Sequence, residues 1–154
     1  MDEGKLAVLR AEVENQVAAI ERIFDRVKER RKMTDTVHLE SLGYQLHNLY
    51  CAFEDLFKIV ARTFENEVTS MARYHTELLR RMTLDIKGVR PALFSRETGE
   101  LLDNLRAFRH FFRHAYAYQL DPRKLAVVLE DALKLEDRFK KEVARFLHLV
   151  SSTV

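Results

Sequence analysis

Disulfides have no place inside this chain, because it holds one cysteine, Cys51, and a single thiol cannot close an internal bridge. The apolar surroundings of Cys51 predict a small buried hydrophobe rather than a nucleophile, since no activating charge pattern flanks it. Long hydrophobic runs are also missing, and without one no segment is expected to cross a bilayer. The start, Met1 to Lys5, lacks the charged-then-apolar layout of a secretory signal, so a cytoplasmic protein is expected. Glycine and proline number only 4 and 2, which leaves few breaks and favours long helices. An excess of one charge is absent too. The net charge is +2, so a basic surface for nucleic acid has to come from local clustering.

What is present suits a folded interior. The 154 residues are 47% hydrophobic and 32% charged, enough apolar chain to enclose a core and too much for disorder. One domain over residues 1–154 is expected. Apolar residues recur at steps of three and four, the period of amphipathic helices. Leu6, Leu9, Val13, Val17, Ile20, Phe24 and Val27 form a first stripe, ended by the charged run Lys28 to Lys32. N-cap candidates at Thr34, Asp35 and Thr36 precede a second stripe from Leu39 to Phe64, and these two helices should pack antiparallel. A shorter helix carries Leu78, Leu79 and Met82, followed by a turn region from Gly88 to Ser95. The next helix is predicted from near Glu97 to about Gln119, stopped by Asp121-Pro122, which caps and opens the last helix. The expected fold class is all-α: an up-and-down bundle of four long helices plus a short one.

Chemistry gathers between Leu105 and Tyr118. On a continuous helix of about 100° per residue, Leu101, Leu105, Phe108 and Phe112 face the core, and Arg106, His110, Arg113 and His114 lie roughly opposite. Phe111 and Tyr118 form a third, apolar sector, which predicts a homodimer contact. His110 and His114 have a zinc-ligand spacing, yet no glutamate stands between them and no third ligand is marked, so no metal site is assigned. His47 and Cys51 share that spacing and are expected to serve core packing or a satisfied interior hydrogen bond.

Arg109, four residues, His114, one residue and Tyr116 reproduce the R-x4-H-x-Y motif, and here the chain resembles the HepT-like toxins of the HEPN superfamily. The segments Tyr44 to Tyr50, Glu54 to Phe57, Tyr74 to Leu79 and Arg90-Pro91 are similar to stretches that precede the motif in longer members. The resemblance covers residues 44 to 121. Departures are His110, where many relatives have Asn or Asp, and Tyr74, where relatives often have Trp.

The resemblance implies a HEPN-like bundle and a ribonuclease that needs neither metal nor cofactor, with its site at a dimer interface and RNA as substrate. In it Arg109 and His114 are catalytic. Histidine exchanges a proton at cell pH, and guanidinium matches phosphate oxygens where negative charge develops. Arg106, His110 and Arg113 are expected to bind the RNA backbone. Arg109 and His114 lie five residues apart and diverge by roughly 140° on a straight helix, which favours a partner helix or a bend to bring them together, while Arg109 lies almost above Tyr116, seven residues on, and is expected to orient it. The resemblance also implies a minimal nucleotidyltransferase antitoxin that transfers AMP to Tyr116. Two other readings stand beside it: a catalytically inactive HEPN module that binds nucleotides or scaffolds a nucleotidyltransferase, and a structural helical adaptor.

Overall fold

The computed structural model describes residues 1–32, 34–65, 73–117 and 119–153. Among the described residues there are five α-helices, α1 (Glu3–Arg30), α2 (Thr36–Phe64), α3 (Tyr74–Met82), α4 (Arg96–Arg113) and α5 (Pro122–Ser151), with a 3-10 turn at Ala115–Ala117. Among the described residues there is no strand, only one isolated bridge between Ile86 and Arg90. No described helix is long and apolar enough to cross a membrane.

Helix starts follow the capping residues. The side chains of Asp2, Asp35, Ser95 and Asp121 each accept a backbone N–H of the first turn, relieving donors that have no intrahelical partner. Pro122 stands at the start of α5, where its missing N–H costs nothing.

Pairing between helices can be read from polar links across their seams. Gln16 donates to the Ala52 carbonyl at 2.7 Å and Arg30 to Ser41 at 2.8 Å, so α1 and α2 run antiparallel. Arg10 with Ser151, Glu21 with Lys140 and Lys28 with Glu136 set α1 antiparallel to α5. Glu97 with Arg138 and Asn104 with Asp131 do the same for α4 and α5. Together with α2 against α4, these links close a four-helix up-and-down bundle. Its centre is aromatic: Phe24, Phe53, Phe94 and Phe139, all buried, meet at ring separations of 5.4 to 6.2 Å. Burial on that scale is the main force closing the bundle.

The turn between α3 and α4 is held by Arg90. Its guanidinium is buried and pairs with Glu65 while donating to the carbonyls of Arg81, Leu84 and Pro91 at 2.9 to 3.2 Å. One side chain thereby ties the end of α2, the end of α3 and the turn itself. Gly88, at φ 81°, supplies the left-handed residue this turn needs.

Two expectations need correction. α4 ends at Arg113 rather than near Gln119. The chain has to turn back to reach the cap at Asp121, and His114 leaves the helix with its N–H bonded to the Phe111 and Phe112 carbonyls. The core face of α4 is also rotated slightly: Leu102 is fully buried with Leu105 and Phe108, while Leu101 and Phe112 are half-buried at its edges.

Candidate functional site

The expected site residues occupy the last two turns of α4 and the turn that follows. Because the helix stops at Arg113, Arg109 lies inside it, His114 is its C-cap and Tyr116 sits in the 3-10 turn. The heptad-like stacking of Arg109 above Tyr116 that a continuous helix would give is therefore absent. Tyr116 is instead 94% exposed, which removes any core role for it.

Arg109 turns toward α2. Its Nε donates to the Cys51 Sγ at 3.2 Å, and one turn earlier on the same face of α2 the His47 ring packs 5.5 Å from the Phe112 ring. Gly43, a further turn back, lets the end of α4 come close, since a Cβ there would stand 3.0 Å from both Phe112 and Leu120. Three successive turns of α2 thus form a wall against α4. Cys51 and His47 are half-exposed rather than core residues, and Cys51 serves the motif arginine as a hydrogen-bond acceptor. Their shared spacing signalled that they lie on one face; what the sequence could not convey was which helix that face meets.

The exposed His114 ring meets the exposed His110 ring edge-on at 4.9 Å. Among the described residues no hydrogen bond joins Arg109 to His114; Arg109 bonds to Cys51 and His114 packs on His110. Of the expected RNA-binding side chains, Arg113 is exposed, while Arg106 is engaged with Asp103 Oδ1 at 2.7 Å. Among the described residues no three His, Cys, Asp or Glu side chains gather as a metal ion would require.

Electrostatics differ on the two sides. Burial, the largest influence, pushes the His47 imidazole below its ordinary pKa; the Asn48 side chain opposes this, and the cations Arg109 and Arg113 add to the lowering. Tyr50 is completely buried beneath this region, and its hydroxyl finds no hydrogen-bond partner among the described residues. Burial, with help from Glu54, raises its pKa, so it stays a neutral phenol. Glu54 is itself buried and accepts from His75 Nδ1 at 2.8 Å, joining α2 to α3.

Phe111 is 44% exposed at the rim of an open groove of about 600 Å³ between α4 and α5, lined by Ala107, Phe108, Leu120, Leu125 and Val128 among others. This is the apolar sector from which a subunit contact was expected. Tyr118, the other residue named for it, lies outside the described residues.

A family model described as HepT-like protein matches residues 41–150. The match begins in the first turns of α2 and runs through the motif to the last turn of α5, further than the resemblance read from the motif region. No curated protein and no solved structure matches the chain.

Proposed function

The chain belongs to the HepT-like family of the HEPN superfamily, and from that membership we propose that it is a toxin acting as a metal-independent endoribonuclease. The observation that carries the reading is the complete R-x4-H-x-Y motif, set at a helix end where His114 and Tyr116 are exposed and Arg109 is half-buried. A degenerate binding module would be free to lose Arg109 or His114; this chain keeps both.

The chemistry follows from the side chains. The ribose 2′-oxygen attacks the adjacent phosphorus, a proton leaves the 2′-hydroxyl, and the P–O5′ bond breaks as a proton reaches the 5′-oxygen. The products are a 2′,3′-cyclic phosphate and a 5′-hydroxyl. His114 exchanges one of these protons. Arg109 stabilises the charged phosphorane through its donor fork. His110 and Arg113 hold the RNA backbone with Arg106, so affinity falls as salt rises. DNA lacks the attacking hydroxyl and is not cut.

Two protomers complete the site. Arg109 is bonded to Cys51 on α2 and His114 packs on His110, an arrangement consistent with a second copy supplying the partner group, and the apolar rim at Phe111 offers the contact. Control of the activity falls to a minimal nucleotidyltransferase antitoxin that adds AMP to Tyr116. An added phosphate beside the motif repels RNA and fills the cleft without disturbing the core.

The test is induced expression of the wild type beside His114→Ala and Arg109→Ala, scoring growth and cleavage of total RNA with and without EDTA. Arrest and EDTA-resistant cleavage by the wild type alone support the ribonuclease. Harmless behaviour of all three transfers the assignment to a non-catalytic nucleotide-binding or scaffold module.

A further inference from the structure

We propose that His47, on α2, is the general base of this site: its Nε2 takes the proton from the ribose 2′-hydroxyl, and His114 delivers a proton to the leaving 5′-oxygen. The proposal rests on the ribonuclease reading and divides its two proton transfers between two histidines.

Geometry carries the assignment. The Arg109 side chain is fastened by Cys51 at 3.2 Å, and Cys51 lies one helical turn from His47 on the same face of α2. The histidine that shares a wall with the motif arginine in one protomer is therefore His47, because His114 is turned toward His110. The His47 ring is held from two directions. Phe112 packs against it at 5.5 Å, and its Nδ1 donates to the Asn48 Oδ1 at 3.3 Å. With the ring proton on Nδ1, the lone pair resides on Nε2, which among the described residues bonds to no side chain. A half-exposed ring whose Nδ1 faces an amide oxygen and whose Nε2 is left with its lone pair suits proton abstraction.

Charge agrees with the geometry. The charged groups acting on His47 are Arg109 and Arg113, both cations on α4, and they reinforce burial in keeping the ring unprotonated at cell pH. The same two cations attract the phosphate that carries the target ribose. In the reaction His47 ends protonated and His114 ends deprotonated, while the O2′–P bond forms and the P–O5′ bond breaks. Proton exchange with water restores both rings.

The experiment measures kcat and KM against pH for the full-length wild type, His47→Gln and His114→Ala on a short RNA, with helicity and mass of each protein checked. Glutamine keeps the size and polarity of histidine but cannot exchange the proton. The expected result for His47→Gln is a fall in kcat of about 10²-fold or more, a KM close to wild type, and loss of the acidic limb of the kcat profile. A variant that retains wild-type kcat and that limb overturns the assignment and leaves the ribonuclease intact. A wild type that cleaves no RNA overturns the ribonuclease reading itself. Should His47→Gln fail to fold, the decision passes to the wild type: a 2′-O-methyl RNA, which binds without being cut, should shift the His47 ring resonances, and unchanged resonances at saturation overturn the proposal.

Discussion

Arg90 shows how much one side chain can hold when a charge is placed out of water. Its side chain is 0% exposed and that of Glu65 only 9%, so their attraction is little screened, and three of the remaining guanidinium N–H groups donate to carbonyls. Arg90→Met would leave the buried Glu65 with only the Arg81 guanidinium, 3.7 Å away, and free the three carbonyls at once. The expected loss is about 3–5 kcal/mol, read as a lowered midpoint in urea denaturation. Tyr116 is the opposite case. With 94% of its surface in water, Tyr116→Phe should change stability by no more than about 0.5 kcal/mol. The same substitution removes the oxygen to which AMP would be attached, so the variant should remain toxic in the presence of the antitoxin and take up no label from radioactive ATP. Labelling or neutralisation of the variant would refute the assignment of Tyr116. These residues also differ in how far the sequence disclosed them. The motif spacing marks Arg109, His114 and Tyr116 in one dimension. The acceptor role of Cys51 and the placement of His47 depend on α2 meeting α4, a relation between distant segments that local spacing does not encode.

Helices and the seams between them obey simpler rules, and two of those rules give measurable consequences. Gly99 lies in the second turn of α4, where alanine would ordinarily stabilise a helix by about 1 kcal/mol. Here an added Cβ would stand 2.5 Å from the Thr83 Cγ2, and Thr83 is pinned because its hydroxyl donates to the Arg80 carbonyl at 2.8 Å. Gly99→Ala should therefore destabilise the protein by about 1–3 kcal/mol. Adding Thr83→Ser, which deletes the obstructing methyl and keeps the hydroxyl, should recover most of the loss in a double-mutant cycle. The cap of α5 supplies a pH effect. The Arg123 backbone N–H holds the Asp121 carboxyl below its usual range. A carboxylate whose folded pKa is depressed contributes stability above its unfolded value, near 3.9 or so, and that stability is lost as pH falls through the folded value. Asp121→Asn retains a capping oxygen but not the charge, so its urea midpoint should fall less than that of the wild type between pH 5 and 3, roughly the window in which aspartate titrates. Equal slopes would show that the cap is not what titrates. Capping residues and apolar stripes are also why most helix boundaries could be read beforehand: Asp35 and Asp121-Pro122 announce themselves. The end of α4 could not be. Residues 114–117 have no glycine or proline to stop a helix, and the break comes from the need to return to α5, a tertiary demand that overrides local propensity.

At the scale of the whole molecule, the orientation of the motif decides whether one chain suffices. Arg109 is tied to α2 and His114 lies beside His110, and on the proposed reading the site would draw on two copies, each giving a different residue. Twofold symmetry would then build two equivalent sites per dimer, one with the first protomer's arginine and the second's histidine, the other with the roles exchanged. A mixture of Arg109→Ala and His114→Ala proteins distinguishes this arrangement from a site within one chain. Each variant alone lacks one group in every site and is inactive. In a mixed dimer, one site has lost both groups, whereas the other combines the intact arginine of one variant with the intact histidine of the other. Random exchange of subunits at equal concentrations makes half of the dimers mixed, so recovered activity should approach about a quarter of wild type. If both groups acted from the same chain, no combination would restore a complete site and the mixture would stay inactive. Phe111→Asp provides the matching physical measurement. A charge at the rim of the apolar groove should disfavour subunit contact, giving a monomeric mass by light scattering while the helical signal is kept, and abolishing recovery in the mixture when placed in both variants. Recovery that persists with monomeric protein would mean that the two residues meet through a different surface.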